Sequence, residues 1–224
     1  MEKLFSKTNI IEIVCGIILS IVAMELLVAL PFFEDIPQGV RIIVATSLQA
    51  IAWMSIIRVS LGEKFSWQAI YFLKTSRTWV LVAFLLGLFC TLRIFILGPL
   101  SLLPFFQNGL EALETTLQVS TTWEYILFAT STIIIAPIIE EIIFRGFIYR
   151  ILRNRRGPVF AILVSAVIFG AIHIIPLYAL NAFLIGIPLA WLYEKSRSLV
   201  PGIVMHMANN ALFFILMIVL PDVF

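Results

Sequence analysis

The run APIIEEIIFRGFIYR, residues 136–150, sets two adjacent carboxylates, Glu140 and Glu141, and the guanidinium of Arg145 among apolar side chains. A charge at the middle of a bilayer costs about 2.5–3.5 kcal/mol on insertion scales, so such groups are paired or put to chemical use. On a helix Glu141 and Arg145 lie four residues apart on one face, acid first, the order that favours an ion pair. Glu140 is then left with no partner on its own helix and is available for chemistry. The chain has two histidines. His173 closes FGAIH, one helical turn after Phe169, and His206 opens HMANN, one turn before Asn210. A carboxylate with an imidazole can hold and deprotonate a water molecule near neutral pH. A second imidazole with a carboxamide can donate to an oxygen that gains negative charge during acyl transfer. Together these are the parts of a hydrolase that uses neither a serine nor a cysteine nucleophile.

The elements that must carry these groups are membrane helices. Of the 224 residues 62% are hydrophobic and 12% charged, and the mean hydropathy is +1.09, far outside the soluble globular range. Apolar stretches of roughly 20 residues fall near 10–30, 40–58, 79–97, 125–147, 158–175, 177–193 and 201–220. They predict a polytopic, all-α transmembrane bundle of seven to eight spans, because backbone groups in hydrocarbon must bond within their own helix and the runs lack the alternation of barrel strands. Lys3 and Lys7, then Arg58, Lys64, Lys74 and Arg77, then Arg145, Arg150, Arg153, Arg155 and Arg156, then Lys195 and Arg197 fall on one side of these spans. Glu34, Asp35, Glu111, Glu114, Glu124 and Asp222 fall on the other. By the positive-inside rule the N-terminus is cytoplasmic and the C-terminus outside. The net charge of +2 reflects this asymmetry and gives no nucleic-acid surface. Residues 1–30 read as a retained first span, since no small-residue cleavage pattern follows the apolar run. Within 98–124, Leu103, Phe106, Leu110, Leu113 and Leu117 recur at helical spacing, the pattern of an amphipathic helix lying on the outer interface or re-entering it. Prolines near the ends of or within the spans, among them Pro137, Pro158, Pro176 and Pro188, predict kinks and broken segments. No repeat or polar linker divides the chain, so a single membrane domain over 1–224 is expected.

EEIIFR at 140–145, FGAIH at 169–173 and HMANN at 206–210 resemble the EExxxR, FxxxH and HxxxN motifs of the CPBP (Abi) family of intramembrane glutamic proteases. That family includes the type II CAAX prenyl endopeptidases and bacteriocin-processing or immunity proteins. All three motifs are complete, in order, and on separate spans; the resemblance covers about 125–220, which it implies is the catalytic core. It implies peptide-bond hydrolysis inside the membrane, with Glu140 as general base, His173 holding the water, and His206 with Asn210 stabilising the oxyanion. Glu141 and Arg145 would brace the helix behind them, and Phe169 would pack beside the site without a chemical role. The resemblance implies no cofactor and no metal, and a membrane-associated or lipidated peptide as partner. The family is drawn with eight helices, which leaves room for a further span within 98–124.

Two other classes fit parts of the pattern. Glu140, His173 and His206 have the ligand types of a two-histidine, one-carboxylate zinc site, although HExxH is absent and Asn210 would be unused. A transporter or a non-catalytic immunity protein could use a buried polar cluster to relay protons or hold helices, but no inverted repeat supports it. Taken singly, His173 and His206 are ordinary interhelical hydrogen-bond formers. Glu12, Glu25, Arg41, Arg58 and Arg93 read as structural charges that snorkel or pair, and the arginine run 150–156 as a topology signal with some attraction for anionic lipid. Depth sets one condition. At 1.5 Å per residue Glu140 lies about 20 Å before Arg153 and His173 about 24 Å after Gly157, so the two meet only if the fourth helix continues past residue 147. His206, about 14 Å after Arg197 by the same rise, sits shallower.

Overall fold

The structure is a computed structural model, and it describes residues 7–28, 30–33, 35–68, 72–92, 94–97, 99–100, 103–107, 121–173 and 175–219. Among these there is no β-strand, and the seven expected spans coincide with helices: the chain is an all-α integral membrane protein. In chain order they are α1 (Lys7–Val28), α2 (Gln38–Leu61), α3 (Arg77–Thr91), the single turn α4 (Ile94–Leu97), α5 (Thr122–Arg156), α6 (Pro158–Ala171), α7 (Pro176–Ser196) and α8 (Leu199–Val219). Five of the helices are long and apolar enough to cross a membrane, whereas α6 and the apolar part of α1, Ile11–Met24, are shorter. The amphipathic helix and additional span expected within 98–124 fall largely outside the described residues, as do both termini.

The fourth span runs further than its apolar stretch, through the arginines to Arg156. This meets the depth condition for Glu140 and His173. The extension is held by charge: Arg153 donates from Nε and Nη2 to the two oxygens of Glu194 on α7, at 2.6 and 2.9 Å, and Tyr149 donates to the same carboxylate at 2.7 Å. Within α5 the stretches Thr130–Ile135 and Ile142–Tyr149 have the wider turns of a π-helix. The first precedes Pro137, whose ring would crowd the carbonyl four residues back in a regular helix. Gly157 ends α5 at φ +85°, a conformation that a side chain would strain, and Pro158 opens α6 at a position where its missing N–H costs nothing. Pro188 lies inside α7 without ending it.

The chain groups into two compact units. One comprises Met1–Ile70 and Val119–Ile139. In it Trp53 of α2 donates to Ser20 of α1 at 2.9 Å. The backbone N–H of Gly39 meets the buried carboxylate of Glu124, which also caps its own helix through Thr121. The other comprises Tyr71–Gln118 and Glu140–Phe224. Its core joins Ile143, Phe144, Phe147 and Tyr149 of α5 to Ala161, Ala166 and Phe169 of α6, Ile185, Leu189, Leu192 and Tyr193 of α7, and Met205 of α8. Small residues let these helices close up, as in membrane packing generally. A Cβ at Gly186 would come within 3.0 Å of Ala166, and one at Gly87 would collide with the carbonyl of Met205.

Candidate active site

All the residues singled out in the three motifs belong to this second unit. Glu141 and Arg145 are fully buried, and Nη1 of Arg145 lies 2.7 Å from Oε1 of Glu141, the expected one-turn ion pair. Arg145 also donates from Nη2 to the carbonyl of Gly186 on α7 at 3.1 Å. Its guanidinium carbon stands 4.7 Å from the centroid of the Phe169 ring, a cation–π contact that suits a cation removed from water.

Glu140, which forms no close ion pair on its own helix, meets a side chain of α8. Oε2 of Glu140 lies 3.7 Å from Nε2 of His206, and on the other side of that ring Nδ1 lies 3.4 Å from Oε1 of Glu141. The imidazole is thus held between the two adjacent glutamates. Glu141 therefore does more than pair with Arg145, a relationship the spacing of the motifs did not reveal. Its second oxygen rests against Gly202 of α8, where a Cβ would come within 2.7 Å.

His173 follows the end of α6, and its Nδ1 lies 2.8 Å from the carbonyl oxygen of Phe169. A carbonyl only accepts, so Nδ1 carries the proton and Nε2 keeps a lone pair. The contact between His173 and the rest of the cluster runs through Phe169, whose ring centroid is 5.0 Å from that of His173 and 5.7 Å from that of His206. The structure thus brings Glu140, Glu141, Arg145 and His206 into direct contact. It sets His173 beside them across the Phe169 ring, with no direct hydrogen bond to Glu140. Asn210 lies one turn beyond His206 on α8, and its Oδ1 accepts from Nδ2 of Asn209 at 2.9 Å. Thr91, Gly202 and Asn209 complete the surroundings. Of these only Asn209 left a trace in the sequence, as the first of two consecutive amides in an apolar span. Among the described residues no three His, Cys, Asp or Glu side chains converge as a metal site; the donors of the zinc alternative, Glu140, His173 and His206, include only one close pair.

Comparison with known proteins converges on the same stretch. Residues 122–212 match the family model "Type II CAAX prenyl endopeptidase Rce1-like". Among curated proteins, "Putative membrane peptidase YdiL" of Bacillus subtilis is 36% identical over 77 residues, 34% of this chain and 32% of that protein. "UPF0177 protein YxdF" of Lactococcus lactis is 30% identical over 78 residues, 34% of this chain and 42% of that protein. The matched segment spans less than half the length of these relatives. No solved structure matches the chain. The helices that carry all three motifs, within residues 122–212, are thus similar to the Rce1-like type II CAAX prenyl endopeptidase family over less than half of the chain.

Proposed function

We propose that the chain is a membrane-embedded endopeptidase that cleaves membrane-associated or lipidated peptides by glutamate-assisted attack of water, with residues 125–220 as its catalytic core. The observation that carries this reading is the contact between Glu140 and His206, two groups 66 residues apart in sequence that meet at 3.7 Å. Glu140 and Nε2 of His173 hold the water, and Glu140 takes its proton as the oxygen attacks the scissile carbonyl carbon. His206 and Asn210 donate to the oxygen that becomes negative. When the tetrahedral intermediate collapses, the C–N bond breaks and the proton on Glu140 passes to the departing amine. Water supplies one hydrogen to the amine and the hydroxyl to the new carboxyl group, and no covalent acyl-enzyme forms. The lysine and arginine distribution supports an N-terminus in the cytoplasm and a C-terminus outside.

The test uses the full chain reconstituted in liposomes with quenched fluorescent peptides, one carrying a thioether-linked isoprenoid and one a hydrophobic membrane-inserting segment. Glu140→Gln keeps shape and removes the base, so cleavage is lost while the protein remains folded and inserted. Turnover by that variant rejects the assigned base. A strong zinc chelator leaves the wild-type rate unchanged if water is activated by Glu140, and abolishes it if a metal does that work.

A further inference from the structure

We infer that Thr91 and Asn209 form a relay that fixes the carboxamide of Asn210 in the orientation needed to stabilise an oxyanion, so that α3 contributes to the site. The inference rests on the peptidase reading above and assigns positioning residues to it. Thr91 lies outside the family match to residues 122–212, yet its side chain is fully buried and faces α8. Its hydroxyl lies 3.0 Å from the carbonyl of Gly87, 3.3 Å from the carbonyl of Asn209 and 3.4 Å from Oδ1 of Asn209. Asn209, itself buried, then donates from Nδ2 to Oδ1 of Asn210 at 2.9 Å.

A carboxamide has an acceptor end and a donor end of nearly the same shape, so packing alone fixes its rotation poorly. Hydrogen bonds decide it. Thr91 has one proton to give; donated to Oδ1 of Asn209, it holds the acceptor end of that amide towards α3 and turns the amide nitrogen of Asn209 towards Asn210. That nitrogen occupies the acceptor end of Asn210 and directs the Asn210 N–H groups away from Asn209. The opposite rotation would bring a carbonyl oxygen to an oxygen gaining negative charge, where it would repel. Gly87 makes the relay possible, because any Cβ there would collide with the carbonyl of Met205 and hold α3 away from α8.

The test compares Thr91→Val, which removes the hydroxyl at nearly constant volume, with Thr91→Ser, which keeps it. The readouts are turnover of the lipidated fluorogenic peptide and affinity for a peptidyl phosphonate, whose anionic tetrahedral phosphorus mimics the intermediate. Thr91→Val is expected to lower kcat about tenfold with KM nearly unchanged, and to weaken phosphonate binding by a similar factor. Thr91→Ser stays within about twofold of wild type on both counts. In an Asn210→Ala background Thr91→Val adds nothing to the loss of phosphonate affinity, because the group it positions is gone. Should Thr91→Val fail to insert, Asn209→Ala removes the second link and carries the same expectation. Full kcat in whichever of the two inserts, or the same loss of affinity with Asn210 already removed, overturns the relay. Turnover by Glu140→Gln rejects the peptidase reading instead, whatever the Thr91 variants do.

Discussion

Oε1 of Glu141 lies 3.4 Å from Nδ1 of His206 and 2.7 Å from Nη1 of Arg145. One carboxylate oxygen therefore faces both a guanidinium and an imidazole. It neutralises a buried cation and stands against the Nδ1 edge of His206, while the opposite ring nitrogen faces Glu140. If His206 acts as proposed, Glu141 would orient it, much as a buried carboxylate orients the histidine of a serine protease. Removing the charge should reveal both functions. Glu141→Gln leaves Arg145 buried without its counter-ion and should destabilise the protein by roughly 3–5 kcal/mol, measured as unfolding in detergent. It should also lower kcat. Glu141→Gln combined with Arg145→Met should recover much of the stability, because an apolar replacement of a buried pair is often neutral, but not the turnover. Recovery of both would reduce Glu141 to a brace for Arg145.

Gly202 is where α8 makes room for that carboxylate. A Cβ there would stand 2.7 Å from Oε2 of Glu141, and the other oxygen is tethered to Arg145, so the carboxylate can yield only by moving away from His206. Gly202→Ala should therefore reduce turnover by about tenfold while insertion is retained. Glu141→Asp, one methylene shorter, withdraws the clashing oxygen. The double variant should turn over faster than Gly202→Ala alone. An unaffected rate in Gly202→Ala would show that the carboxylate has slack and that its position is not critical.

The contrast between Glu141 and Glu140 shows how far the sequence could be read. Spacing of four residues, acid first, was enough to pair Glu141 with Arg145, since both lie on one helix and local geometry decides the contact. The contacts of each glutamate with His206 depend on how α5 and α8 pack, which no periodicity in either helix encodes. The three motifs single out side chains on α5, α6 and α8 and leave their distances open. The extent of α5 was obscured for a different reason. The arginines from 150 to 156 end the apolar pattern, and with it the visible span, but Arg153 and Tyr149 find Glu194 and the helix continues. By charge alone Glu124 reads as one of the acidic loop residues, but with Thr121 three positions earlier it forms a capping box. Its burial against Gly39 is tertiary and left no trace in the spacing. Thr91 sits in an apolar span with no motif around it, so nothing in the sequence linked it to Asn209.

Phe169 received no chemical role from its sequence, yet its ring is the common wall of the cluster. It meets His173, His206 and Phe144 edge-on at centroid distances of 5.0, 5.7 and 4.9 Å, and it lies 4.7 Å from the guanidinium carbon of Arg145. Its own carbonyl also holds Nδ1 of His173, a backbone contact that a change of side chain preserves in kind. Phe169→Ala should destabilise the protein by about 3–5 kcal/mol and says little about catalysis. Phe169→Leu is the informative change: it keeps most of the apolar volume but removes the flat face over Arg145 and the edge contacts with both imidazoles. Its stability cost should stay below about 1.5 kcal/mol, while kcat falls and KM holds, because the two rings lose the surface that sets their spacing. If Phe169→Leu leaves kcat at the wild-type value, the ring only fills space, and the separation of His173 from His206 must be set by the helix backbones.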